Sequence, residues 1–205
     1  MTRPYEQIFN WPNVLTFGRI FLVPLIVIFF YLPFSWAHPV AAGLFALGSI
    51  TDWLDGYLAR YLKQSTKLGA FLDPVADKLM VSVALVLIVA EPTFQRFDAI
   101  AYYGIMPAVI LTVPAAIIVA REIIVSALRE WMAEVGKRAS VAVSQVGKFK
   151  TAAQMCSLII LLYCDITTNI VLLILGYSLL YIAAVLTIWS MIIYLRAAWS
   201  QLVSD

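Results

Sequence analysis

Charge is what this sequence has least of. Only 13% of its 205 residues are charged, about half the usual share for a soluble domain, while 63% are hydrophobic. That balance excludes an ordinary soluble protein and predicts an integral membrane protein, read as a single membrane-embedded domain over 1–205 with no soluble module attached. Histidine occurs once, at His38 in a short turn, and carries no evident role. Cysteine occurs twice, at Cys156 and Cys164. Eight positions along one apolar helix put them about two turns apart, too far to bridge, so both read as small buried hydrophobes. No long basic run is present, which argues against nucleic acid as a partner. The opening MTRPYEQIFNWPN has no signal-peptide hydrophobic region or cleavage site, so the first apolar segment is expected to be retained. Internal repeats and low-complexity stretches are lacking as well.

Long apolar segments are what the chain has in plenty. Six candidate spanning helices run over roughly 14–33, 39–60, 69–90, 104–133, 149–164 and 170–195, which predicts an all-α, polytopic fold with six transmembrane helices. Pro24, Pro74 and Pro114 fall inside them, Pro74 in an expected first turn where its missing N–H costs little. Six spans put both termini on one side. Of the 14 basic residues, only Arg96 falls on the opposite side. The positive-inside rule makes the basic side cytoplasmic.

Against this apolar background, four aspartates stand out. On the second helix Asp52, Asp55, Gly56 and Ala59 share one stripe at helical spacing. On the third, Gly69, Asp73 and Asp77 share another. A short turn near 61–68 predicts that the two helices are antiparallel neighbours whose stripes face each other. An aspartate inside a membrane helix costs about 2.5–3.5 kcal/mol at the centre and less near the ends. Four together also repel one another, a cost that divalent cations offset. Carboxylate oxygens suit Mg²⁺, Mn²⁺ or Ca²⁺ better than zinc, and four match the charge of two such ions. Paired metals stabilise the attacking and leaving oxygens of phosphoryl-type transfer. Gly56, Ala59 and Gly69 leave room beside the backbone, a feature that close helix packing also produces. Arg60 offers a fork of donors to phosphate.

The run Asp52, Asp55, Gly56, Ala59, Arg60, eight residues, then Gly69, Asp73, Asp77 resembles the signature of the CDP-alcohol phosphatidyltransferases, and every signature position matches. "PNVLTFGRI" at 12–20, "REIIVSALRE" at 121–130 and "GKRASVAVSQVGKFKTAAQM" at 136–155 resemble the bacterial branch of that family whose acceptor is sn-glycerol 3-phosphate. The resemblance implies transfer of the phosphatidyl group from CDP-diacylglycerol to that acceptor, giving phosphatidylglycerophosphate and CMP. It implies a homodimer among membrane lipids, with a cytoplasm-facing site in a bacterial inner membrane. It further implies that Asp52, Asp55, Asp73 and Asp77 hold two Mg²⁺ or Mn²⁺ ions and that Asp77 is the general base. Gly56, Ala59 and Gly69 would frame the nucleotide of the CDP-lipid, with Arg60 on its phosphate.

The acceptor carries nearly two negative charges and calls for cations. Arg121 and Arg129 lie eight apart on one face of the fourth helix, followed by Lys137, Arg138, Lys148 and Lys150. Arg121, Arg129, Lys137 and Lys148 are assigned to the acceptor phosphate. Glu122 is placed to orient a neighbouring cation. Asn13, Thr16 and Arg19 begin the first helix at related spacing and are assigned to the CDP-lipid; for Arg19 the competing reading is a side chain snorkelling to the interface. The loop at 91–102 and the ends of the last two helices suggest no chemistry. Three rival readings share the acidic pattern. A sister transferase would use inositol phosphate, serine or a phospholipid as acceptor. An intramembrane prenyltransferase would need a second acidic cluster. A cation-coupled transporter would place its acids at the midplane within inverted repeats.

Overall fold

The computed structural model describes residues 11–62, 67–91, 107–135, 145–165 and 167–202, and its regular structure there is entirely helical. Six helices are formed among these residues: α1 Trp11–Phe30, α2 Ala37–Leu62, α3 Lys67–Ala90, α4 Pro107–Glu134, α5 Gln145–Tyr163 and α6 Ile170–Leu202. Three candidate membrane spans are long and apolar enough by length and composition: Asn13–Phe30, Val109–Glu134 and Ile170–Trp199. Phe149–Tyr163 is a shorter apolar helix, while α2 and α3 carry the aspartates.

The chain divides into two compact units. The first contains α1, α2, α3 and Leu158–Asn169. In it α1 packs along both α2 and α3, which touch each other little. The acidic stripes of α2 and α3, expected to face each other, come together through α1, whose Arg19 contacts Asp52, Asp73 and Asp77. The reason lies in the small side chains. Ala37, Ala41, Phe45 and Gly48 line the buried face of α2 at three- and four-residue steps, and Ala76, Met80 and Ala84 do the same on α3. Small residues let membrane helices approach closely where lipid gives no hydrophobic drive. Among the described glycines Gly48 is the most closely approached, since a Cβ there would lie 2.5 Å from Met80 Cε and 3.6 Å from Leu22 Cδ1. Both buried faces continue into the acidic stripe, so the packing that joins α1 to α2 and α3 also gathers the acids.

Two local expectations change. α3 begins at Lys67, so Pro74 sits inside the helix rather than in its first turn. Cys156 is exposed, because it lies on the outward side of α5, whereas Cys164 is buried just beyond the helix end. His38 is structural: its ring packs on Phe30 at 4.6 Å and Nδ1 lies 3.3 Å from the Leu162 carbonyl oxygen.

The second unit contains α4, the earlier part of α5 and α6. α4 packs on α6. Leu111, Ala115, Ile118, Val125 and Met132 form the inward stripe of α4, and Tyr177, Leu180, Ala184 and Thr187 that of α6. Outward positions such as Ile123, Val185 and Trp189 are large and apolar, as hydrocarbon surroundings require.

Candidate active site

In the first unit the acids meet around one arginine. Arg19 of α1 has no exposed side-chain surface. Its Nη1 donates to Asp52 Oδ1 of α2 at 2.5 Å and to Asp77 Oδ1 of α3. Its Nη2 lies 3.6 Å from Asp73 Oδ1. Thr16, one turn earlier on α1, donates its hydroxyl to Asp73 Oδ1 at 2.5 Å. Asn13, Thr16 and Arg19 are all buried, forming a polar face at the start of an otherwise apolar helix. Arg19 therefore does not snorkel. It stands among the acids as the local counter-charge. Gly69, at the entry to α3, is buried. Asp55, Gly56, Ala59 and Arg60 lie on the α2 helix, but their side chains lie outside the described residues.

In the second unit a separate cationic cluster is built on α4. Glu122 Oε1 accepts from Arg121 Nη1 at 3.0 Å and from Lys150 Nζ of α5 at 2.7 Å. Arg121 Nη2 donates to Ser190 Oγ of α6 at 3.2 Å. Arg129 Nη2 donates to the Tyr194 hydroxyl at 2.8 Å. Arg121 Nε is buried with no hydrogen-bond partner among the described residues. A buried guanidinium donor left open is costly unless an acceptor arrives. Two guanidinium groups and an ammonium against one carboxylate give this cluster a positive formal balance. Lys137 lies outside the described residues, as does the side chain of Lys148.

Ser190 and Tyr194 near the end of α6, where the sequence suggests no chemistry, contact the α4 arginines, and Lys150 of α5 contacts Glu122. Their signal was present in the sequence. Thr187, Ser190 and Tyr194 recur at three and four positions within an apolar run, and polar groups in such a run turn toward protein. Lys150 was visible as a charge, but only packing distinguishes it as the partner of Glu122.

The model of the CDP-alcohol phosphatidyltransferase family matches residues 9–189. The chain belongs to that family. A relative from Yersinia pestis (strain Pestoides F), named CDP-diacylglycerol–glycerol-3-phosphate 3-phosphatidyltransferase, is 55% identical over 94% of this chain and 97% of its own length. A relative of the same name from Salmonella choleraesuis (strain SC-B67) is 51% identical over 96% of this chain and 99% of its own. As a CDP-alcohol phosphatidyltransferase the chain is a membrane-embedded transferase, of a family generally dependent on divalent metal.

The donor types of the described acids suit such a metal, although their arrangement does not form a ligand set. Among the described residues no group of three His, Cys, Asp or Glu side chains is disposed to hold an ion. The described acids are instead drawn around a guanidinium, so their oxygens already converge on a single positive group. Three acids against one arginine leave two negative formal charges, the balance a divalent ion supplies. The donors are hard carboxylate oxygens, the type that Mg²⁺ and Mn²⁺ take.

Proposed function

We propose that this chain transfers the phosphatidyl group of CDP-diacylglycerol to sn-glycerol 3-phosphate, giving phosphatidylglycerophosphate and CMP. The observation that carries the reading is the 51% to 55% identity, over nearly the whole chain, to relatives named for that reaction. The two built sites support it, an acidic one suited to metal and diphosphate and a cationic one suited to a phosphorylated acceptor.

Asp52, Asp55, Asp73 and Asp77 would hold two Mg²⁺ or Mn²⁺ ions. When bound, the metal supplies positive charge to the diphosphate and to the developing charge on its oxygens. Asp77 takes the proton from the 1-hydroxyl of glycerol 3-phosphate. That oxygen forms a bond to the lipid-side phosphorus, the bond from this phosphorus to the bridging oxygen breaks, and CMP leaves. Arg19, bonded to Asp52 and Asp77 through one nitrogen, fixes the orientation of the base. Asn13, Thr16, Arg19, Gly56, Ala59, Arg60 and Gly69 receive the CDP-lipid. Arg121, Arg129, Lys137 and Lys148 receive the acceptor phosphate, with Glu122 holding Arg121 in place. The whole chain acts as one catalytic domain in a homodimer, with its termini and site on the cytoplasmic face of a bacterial inner membrane.

The test is CMP release by purified protein in detergent with CDP-diacylglycerol and Mg²⁺. Glycerol 3-phosphate, inositol phosphate and serine are offered singly. Release with glycerol 3-phosphate alone is expected. Release with a different acceptor alone would keep the acidic site and discard the acceptor assignment.

A further inference from the structure

Arg121 and Arg129 lie eight residues apart on α4, about 12 Å along the helix axis. One side chain spans that interval. The ring centre of Tyr194, on α6, is 5.8 Å from Arg121 Cζ and 5.1 Å from Arg129 Cζ. Its hydroxyl also accepts from Arg129 Nη2 at 2.8 Å. Tyr194 is thus in contact with both arginines. Two guanidinium groups repel each other, and the exposed Arg129 would otherwise range freely in solvent. The electron-rich face of a tyrosine attracts each cation, while leaving guanidinium N–H groups available to an anion.

The remaining supports of Arg121 are compatible with that purpose. Glu122 and Ser190 engage its two terminal nitrogens, and Nε is buried without a hydrogen-bond partner among the described residues. The group is thus fixed in place with a donor unspent. A phosphate with two charges gains most from two cations that are already held, because no ordering cost then falls on binding.

We propose that Tyr194 is a positioning residue of the acceptor-phosphate site, holding Arg121 and Arg129 as a ready-made pair for the phosphate of the acceptor. The proposal rests on the assignment of those arginines to the acceptor. Nothing in the acidic motif points to it, since Tyr194 lies in the last helix.

The experiment compares wild type, Tyr194→Phe and Tyr194→Leu as full-length purified protein. Steady-state CMP release is measured while glycerol 3-phosphate and CDP-diacylglycerol are varied in turn. Thermal stabilisation by glycerol 3-phosphate alone is measured in parallel. Tyr194→Leu is expected to raise the KM for glycerol 3-phosphate about tenfold, from the loss of two cation–π contacts and one hydrogen bond. Most of the effect falls in KM rather than kcat, and the KM for CDP-diacylglycerol stays near wild type. Tyr194→Phe keeps the ring and is expected to recover most of the loss, leaving about a threefold rise. An unchanged KM for glycerol 3-phosphate in Tyr194→Leu, or an equal rise for both substrates, overturns the proposal. If Tyr194→Leu does not fold, Tyr194→Phe decides alone, because an acceptor-specific rise supports the proposal and no rise overturns it. The two readings fail separately. Glycerol 3-phosphate-dependent turnover that is indifferent to Tyr194 removes only the positioning role. Stabilisation by glycerol 3-phosphate that depends on Tyr194, without turnover, supports the positioning role and removes the reaction. Neither turnover nor stabilisation in wild type removes both.

Discussion

Arg19 has a fully buried side chain, while the three acids around it keep roughly two-fifths of their side-chain surface exposed. Breaking a buried ion pair from one side costs about 3–5 kcal/mol, since the remaining charge is left uncompensated. The partial exposure of the acids places Arg19→Ala near the lower end. Part of that cost is carboxylate repulsion, which a divalent ion also relieves. Arg19→Ala is therefore expected to melt earlier than wild type in chelator and to regain most of the difference in millimolar Mg²⁺. A loss of equal size with and without Mg²⁺ would make Arg19 a packing residue alone. At this scale the sequence was partly legible. The four aspartates and their spacing could be read directly, and Arg19 was noticed as a cation in an apolar run. Its place between Asp52 and Asp77 could not be read, because those contacts join positions 33 and 58 apart in the chain.

Helix approach and helix termination decide the element scale. A Cβ at Gly48 would meet the flexible end of Met80, which can turn aside. Gly48→Ala should therefore be close to neutral, whereas Gly48→Ile places branched bulk where α1, α2 and α3 converge. Overpacking of this kind costs about 1–3 kcal/mol. Comparing the two melting temperatures in one detergent checks this, and equal values would remove the close approach. Between α5 and α6 the chain turns on Asp165. Its Oδ1 accepts from the Thr167 hydroxyl at 2.7 Å, the Thr167 backbone N–H at 2.8 Å and the Thr168 hydroxyl at 2.9 Å. The Thr167 hydroxyl above all holds this carboxyl below the ordinary carboxylate range. A depressed folded value stabilises above the unfolded value, near about 4, and that contribution is lost as pH falls below it. The stability gap between wild type and Asp165→Ala should thus be present at neutral pH and shrink as the pH falls below the unfolded value. A gap that persists in acid would assign the effect to packing.

At the scale of the whole molecule, charge distribution sets orientation. Fusing a fluorescent reporter after Asp205, and in a second fusion an alkaline phosphatase, tests the cytoplasmic assignment. Fluorescence without phosphatase activity is expected, and the reverse would invert the topology. The membrane character itself follows from composition and from the three long apolar helices among the described residues.

The sequence by itself determined the class of the protein and the acidic half of its chemistry. Scarcity of charge requires a lipid solvent, and aspartates at three- and four-residue steps mark one face of each helix whatever that face meets. Tertiary structure decided who meets whom. It put α1 in contact with both α2 and α3, made Arg19 the counter-charge of the acids, and brought Lys150, Ser190 and Tyr194 to the cations of α4. Periodicity fixes which residues share a helix face, but the partner across that face comes from another helix. In an apolar membrane chain, small residues and buried polar groups select that partner only once the helices have packed.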